Sequence, residues 1–366
     1  MTSFPGIHCV VFICYFLTLV YGSPRRSDND GTSCPPFNKG DFTIHQYQLY
    51  PENAFWDSQN CVVYFSALFN GSVAVYDPYK DETIRIITFP NITYVPGQHA
   101  SGLDYSSKSG LLSVVLNSET PFLTGGANVS GDNWLVKYDP VCNRELWRTN
   151  LTAVTEGRFG GFQDVSVDTK SNSYVIGTYP KSILKVDKHG LNAEVWYPPQ
   201  STNTAIRGYT GVAALEDVLL VVNTEEVPAS NPSKSEIYRF DMTEPEGRPV
   251  LVERTPNLPI GVANRIHLPV AYGGRVMLVS EQLLGVTVLR SVDGSWKTAE
   301  HLGSIRSNWP IPFDRILPTT VQVGPRNQYM VGQHFPGDIV PGTTAGNRSE
   351  WEMFDITAMV EELLRA

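Results

Sequence analysis

One hydrophobic pattern recurs six times along the chain. Short runs in which apolar residues are continuous, or alternate with polar ones, are separated by Gly, Asn, Asp and Ser turns. Almost nothing with a helical 3.6-residue period appears before the C-terminus, so the chain is predicted to be all-β. The most apolar runs are CVVYFSA from Cys61, GLLSVVLN from Gly110, NSYVIGTY from Asn172, DVLLVVNT from Asp217, GRVMLVSE from Gly274 and NQYMVGQH from Asn327. Each is followed by a strand that ends on an apolar residue and an aspartate: Tyr76-Asp77, Tyr138-Asp139, Val186-Asp187, Phe240-Asp241, Val292-Asp293 and Phe354-Asp355. These endings lie 48 to 62 residues apart. Upstream stand five candidate innermost strands: SGLDYS from Ser101, GFQDVSVD from Gly161, YTGVAAL from Tyr209, NRIHLPV from Asn264 and PTTVQVG from Pro318.

Six units of about fifty residues, each too small to bury both of its faces alone, predict radial stacking into a six-bladed β-propeller. A pair of two-sheet sandwiches is the alternative. The tail FDITAMVEELLR from Phe354 reads as a strand running into a short C-terminal helix, and TIHQYQLY from Thr43 is placed to close the ring as the last blade's outer strand.

Composition narrows the setting. With 42% hydrophobic and 18% charged residues the chain can bury a core, which excludes disorder. The formal charge of -9, with no basic cluster longer than Arg25-Arg26, excludes a nucleic-acid footprint. Residues 7–20 form an apolar run of signal-peptide length before Val20-Tyr21-Gly22. Residues 1–22 are therefore expected to be a cleaved signal, leaving 23–366 as a single propeller domain in the secretory pathway, secreted or lumenal. An uncleaved anchor is the alternative, although the run is shorter than the ~20 residues of a comfortable span. Five glycosylation triplets, at Asn70, Asn91, Asn128, Asn150 and Asn347, agree with an oxidising, glycosylating route. Cys34, Cys61 and Cys142 survive cleavage, an odd number. A disulfide between Cys34 and Cys61 is expected, with Cys142 buried and free.

In a propeller the loops that lead into the inner strands shape a pocket at one end of the central channel. The loop from Glu156 to Asp164 places Arg158, Phe159, Gln163 and Asp164 around Gly157, Gly160 and Gly161. Arg207-Gly208-Tyr209-Thr210-Gly211 repeats the combination one blade later. A tight blade-to-blade connection, with Arg158 paired to a carboxylate, is the plain structural reading of the first loop. His99 leads into the second blade, while His334 and Asn223 end second strands, where a side chain either faces a rim or caps a turn. Glu52, Asp57, Asp104 and Asp164 are carboxylates expected near the channel. Aromatic residues near the loops, including Phe159, Tyr209 and Trp309, supply either blade packing or an apolar wall. The chain has no G-x-S-x-G elbow, P-loop, H-E-x-x-H or dinucleotide fingerprint, and no zinc spacing. Asn128 to Asn133 resembles half of a calcium loop without its terminal Glu.

The stretch GGFQDVSVDTKSNSYVIGTYPKSILKVDKHG from Gly160, with RGYTG from Arg207 and the secretory start, resembles the fungal secreted propeller proteins of secondary-metabolite clusters. That family includes a trichothecene-cluster protein and the hetero-Diels-Alderases of tropolonic sesquiterpenoid biosynthesis. A more distant likeness runs to gluconolactonase-like propellers, whose divalent metal is held by carboxylate and Asn ligands. The first resemblance implies an enzyme that dehydrates a hydroxymethyl tropolone to a quinone methide, which a humulene-type olefin then captures. It implies apolar small-molecule partners, a tropolone and a sesquiterpene, and no cofactor or metal. On that reading Asp164 is the acid/base, with Arg158, Gln163, His99, Tyr209 and His334 as donors. Phe159, Arg207, Asn223 and Trp309 complete the substrate pocket. A metal-dependent lactone hydrolase and a non-catalytic secreted binding propeller are the other classes.

Overall fold

The computed structural model describes residues 34–225, 234–306 and 315–366. The expected signal peptide and Trp309 lie outside them. The described residues form six sheets, antiparallel except for one added strand, arranged as a six-bladed β-propeller. Strand β1 (Phe42–His45) comes first in the chain but belongs to the last blade. Blade 1 holds β2 (Pro51–Asp57), β3 (Val62–Ala67), β4 (Ser72–Asp77) and β5 (Glu82–Ile87). Blade 2 holds β6 (Gln98–Ser106), β7 (Leu111–Ser118), β8 (Trp134–Asp139) and β9 (Arg144–Asn150). Two single-turn helices, α1 (Thr120–Leu123) and α2 (Leu151–Val154), follow β7 and β9. Blade 3 holds β10 (Gly160–Val167), β11 (Ser173–Tyr179), β12 (Ser182–Val186) and β13 (Ala193–Tyr197). Blade 4 holds β14 (Tyr209–Leu215), β15 (Val218–Glu225), β16 (Lys234–Asp241) and β17 (Val250–Leu251).

Blade 5 departs from the four-strand pattern. Before β19 (Ala263–His267), β20 (Val276–Glu281), β21 (Gly285–Arg290) and β22 (Thr298–Arg306), the chain lays down β18 (Glu253–Thr255), which adds to β22 in parallel. Blade 6 is β23 (Arg315–Val323), β24 (Asn327–His334) and β25 (Glu350–Asp355), completed by β1 in antiparallel register, Thr43 opposite Glu352. The two ends of the propeller are thereby zipped into one sheet, which removes an open blade edge. Helix α3 (Thr357–Arg365) then buries Val360 between blades 5 and 6.

The continuous apolar runs of the second strands have a simple cause. Each blade is covered on both faces, so successive side chains of a strand enter two different interfaces. In β3, Val63 and Phe65 pack toward blade 6, and Val62 and Tyr64 toward blade 2. Six apolar clusters result, one per blade–blade interface. Cys34 and Cys61 form a disulfide with Cα atoms 5.6 Å apart, which ties the segment ahead of β1 to blade 1. Cys142 is free but exposed, a correction to its expected burial. It sits in the exposed Asp139 turn between β8 and β9, whose carboxylate accepts from the Val141 and Cys142 amides.

Candidate functional site

The innermost strands β2, β6, β10, β14, β19 and β23 surround the central channel. Each starts on one face of the disc, called top here, and ends on the other, called bottom. The two halves of the channel differ in chemistry.

The top half is closed by a polar plug built on Arg265 of β19. Its Nη1 donates to the Ala54 carbonyl at 2.7 Å and to Thr319 Oγ1 at 3.1 Å, and its Nε lies 3.6 Å from Asp164 Oδ2. Asp164 is 2% exposed. Its carboxylate accepts from Asn53 Nδ2 at 3.0 Å, from its neighbour's amide (Val165) at 2.9 Å and from the Val212 amide at 3.2 Å. Burial pushes Asp164 up to about 6, although Arg265 pulls the other way. Above it, Asn264 Oδ1 accepts from Gln163 and Gln282, each at 3.2 Å, and Asn264 Nδ2 donates to Glu52 at 3.3 Å. Burial raises Glu52 to about 7 against that hydrogen bond. Two glycines permit this crowding. A Cβ at Gly102 would stand 2.4 Å from the Asp164 Cα, and one at Gly211 would stand 2.6 Å from the Arg265 Cα. The void left among these groups is about 10 Å³, room for one water at most.

The bottom half opens into a cavity of about 340 Å³ at the ends of the inner strands. Phe55, Trp56, Tyr105 and Ile266 give it an apolar wall, and Lys108 and Glu216 stand at the exposed rim. Its polar floor is Asp104, Ser166, Arg265 and His267. Ser166 Oγ donates to Asp104 Oδ2 at 3.0 Å and accepts from the Ala214 amide at 3.0 Å. Burial pushes the Asp104 carboxyl up from its ordinary range, with Ser166 and Arg265 opposing. His267 keeps some exposure, but its Nε2 is sealed and has no hydrogen-bond partner among the described residues. Burial, reinforced by the Arg265 cation, lowers it to about 3, so the ring is neutral.

The residues singled out in the sequence divide between these regions and ordinary packing. Asp164 and Gln163 belong to the plug. Asp104 and Glu52 meet around the same arginine, whereas Asp57 caps its own turn, accepting from the Gln59 and Asn60 amides. Arg158 is not brought to the channel. Its side chain is 65% exposed, 3.4 Å from Glu156, on a peripheral top-face groove of about 550 Å³ that Phe159, Pro180 and Pro198 also line. Phe159 otherwise packs between blades 2 and 3, and Tyr209 between blades 3 and 4. Asn223 is buried opposite Tyr209, and Arg207 is half-buried just before β14. His99 meets Glu119 at 3.5 Å and the edge of Phe69. His334 is enclosed, 3.0 Å from Glu352. Burial would raise Glu352, but His334 and Arg315 hold it at about 2, which marks a structural ion network.

Arg265 and His267 are the functional candidates that sequence reasoning passed over. The signal was present: a charged residue within the predicted inner strand NRIHLPV has to find its partners inside the channel. Arg265 also decides the question of a divalent metal. The carboxylates and asparagines around it are of the right type for a cation, but the guanidinium already supplies the charge and fills the space. Among the described residues no group of three or more His, Cys, Asp or Glu is arranged to hold a metal. The residues therefore do not fit a metal centre. No helix of the described residues is long and apolar enough to cross a membrane.

Comparison with known proteins places this geometry. Residues 33–300 match the family described as Mal s 1 allergenic protein-like. Trichothecene biosynthesis protein 14 of Trichoderma arundinaceum is 31% identical over 347 residues, covering 90% of this chain and 92% of its own. Core trichothecene cluster protein 14 of Fusarium sporotrichioides is 30% identical over 353 residues, covering 90% and 88%. Among solved structures, the major Malassezia sympodialis allergen Mala s 1 superposes with a TM-score of 0.70 at 18% identity, covering 87% of this chain and 96% of that one. A luciferin-regenerating enzyme reaches 0.52 at 13% identity, covering 86% and 95%. These two structural likenesses show the fold.

Proposed function

The chain belongs to the Mal s 1 allergenic protein-like family, and we propose that within it the protein acts in secondary-metabolite assembly as a hetero-Diels-Alderase. Its substrates are a hydroxymethyl tropolone and a humulene-type sesquiterpene. Two relatives whose names place them in trichothecene biosynthesis support the biosynthetic setting. The observation that carries the reading is the bottom cavity, with an aromatic wall on one side and Asp104, Arg265 and His267 on the other. Its volume falls within the usual small-molecule range of roughly 300–1,000 Å³.

Loss of water from the tropolone needs a proton for the departing hydroxyl and an acceptor for the ring hydroxyl proton. Asp104, raised by burial, gives the first proton, and its carboxylate takes the second, so the side chain ends as it began. Arg265 at the floor is the donor for the tropolone oxygens as the C–O bond breaks, and neutral His267 lines the cavity beside it. The quinone methide then adds to the olefin, forming one C–C and one C–O bond with no proton moved. For that step the protein supplies register, an effect worth up to about 7–11 kcal/mol in well-oriented systems. Phe55, Trp56 and Tyr105 provide the wall for the apolar partner.

The test is incubation of the purified protein with both substrates, with and without chelator. Cycloadduct formed above the uncatalysed rate, at the same rate in chelator, is the expected result. Opening of a lactone that chelator abolishes would replace this reading with a hydrolase.

A further inference from the structure

The five glycosylation triplets are not scattered over the propeller. Asn70 lies between β3 and β4, Asn128 between β7 and β8, and Asn347 between β24 and β25. Asn91 lies between β5 and β6, and Asn150 ends β9 before blade 3 begins. Second strands run upward and inner strands start at the top, so every one of these connections is on the top face. The bottom turns, which frame the cavity, carry no triplet.

The side-chain atoms separate the five further. A glycan is attached through Nδ2, so that nitrogen must be free and reach solvent. Asn70 is 7% exposed, and its Nδ2 donates to the Gln48 carbonyl at 3.0 Å while its Oδ1 accepts from Thr344. A sugar on Asn70 has no way out of this fold. Asn128 is exposed and uses only Oδ1, which accepts from the Ser130 amide. Asn91 and Asn347 are exposed. Asn150 is half-buried, with Oδ1 capping α2 through the Ala153 amide.

We propose that the protein carries N-linked glycans at Asn91, Asn128 and Asn347, so that a one-sided carbohydrate coat covers the top face. Asn70 stays bare, and the bottom face with its cavity is left uncovered for substrate. The second half of this statement rests on the proposed activity, while the map of the coat does not. Two experiments keep them apart.

First, the full chain is secreted from a eukaryotic host, the folded fraction is isolated, and occupancy is read by peptide mass spectrometry after N-glycosidase release in heavy-oxygen water. Label at Asn91, Asn128 and Asn347 with none at Asn70 is expected. An unlabelled site among those three, or label at Asn70, overturns the coat. Second, Ser107→Asn creates a triplet with Lys108 and Ser109 at the exposed cavity rim. Its added glycan is expected to lower cycloadduct formation at least tenfold. Enzymatic trimming of the natural glycans should change it less than twofold, and the double variant Ser107→Asn/Ser109→Ala, which cannot be modified, should restore it. Full activity with the rim glycan attached would overturn the bare working face while leaving the map intact.

Discussion

The two halves of the central channel are built from the same six strands and have opposite characters. At the top, Asp164, Asn53, Asn264 and Gln163 are bound to one another and to Arg265, and almost no space remains. At the bottom, one or two residues further along the same strands, Asp104 and His267 line a cavity that Phe55, Trp56 and Tyr105 also line. Burial shifts the titration of groups in both halves, so perturbed carboxylates alone do not mark a reaction site. The difference lies in space. Buried polar groups packed against one another hold the structure, whereas those that border a cavity are available to a ligand.

The largest effect is expected where the halves join. Arg265→Met leaves Asp164, Asp104 and Glu52 without their shared cation and should cost about 3–5 kcal/mol, measured by denaturant unfolding. A loss below 1 kcal/mol would mean that the plug is not held by that charge. Next come the close approaches. Gly102→Ala and Gly211→Ala each drive a methyl into the backbone of a neighbouring strand and should destabilise by about 1–3 kcal/mol in the same measurement.

The pH dependence sharpens the contrast. Glu52 and Asp164 hold their protons more tightly in the folded chain than in the unfolded one. Their contribution is therefore present at low pH and is lost as pH rises, through about 7 for Glu52 and about 6 for Asp164. His267, whose proton the fold expels, opposes them below its ordinary value, so the prediction is a difference: between pH 4.5 and 7 Glu52→Gln should lose less stability with rising pH than the parent chain. An unchanged slope would remove Glu52 from the plug's titration. The smallest effect belongs to the top surface. Arg158→Ala removes an exposed side chain and should shift stability within about 0.5 kcal/mol.

Blade order was legible in the sequence because the second strands, buried on both faces, read as unbroken apolar runs. Five of the six inner strands were legible too. The sixth, β2, opens Pro51-Glu52-Asn53, a polar start that satisfies itself only inside the channel, so no periodic signal marks it. The candidate site was legible in composition rather than in position. Asp104, Asp164 and Gln163 could be named as carboxylates and donors on inner strands. Which end of the channel was open could not, because closure depends on partners from four other blades. Arg265 reaches Ala54, Leu103, Asp164 and Thr319, between 54 and 211 residues away along the chain. The glycine-rich loop around Arg158 stands out in composition, but its glycines serve close packing and turns, such as the positive φ of 66° at Gly161.

The central claim is that chemistry takes place at the bottom of the channel. It is tested most directly by comparing cycloadduct formation by Asp104→Asn and Arg158→Ala, each checked for unchanged folding. The account predicts a loss of roughly 10²–10⁴-fold for Asp104→Asn, the usual contribution of a positioned acid/base, and less than twofold for Arg158→Ala. Full activity in Asp104→Asn together with loss in Arg158→Ala would contradict it and return the site to the top face.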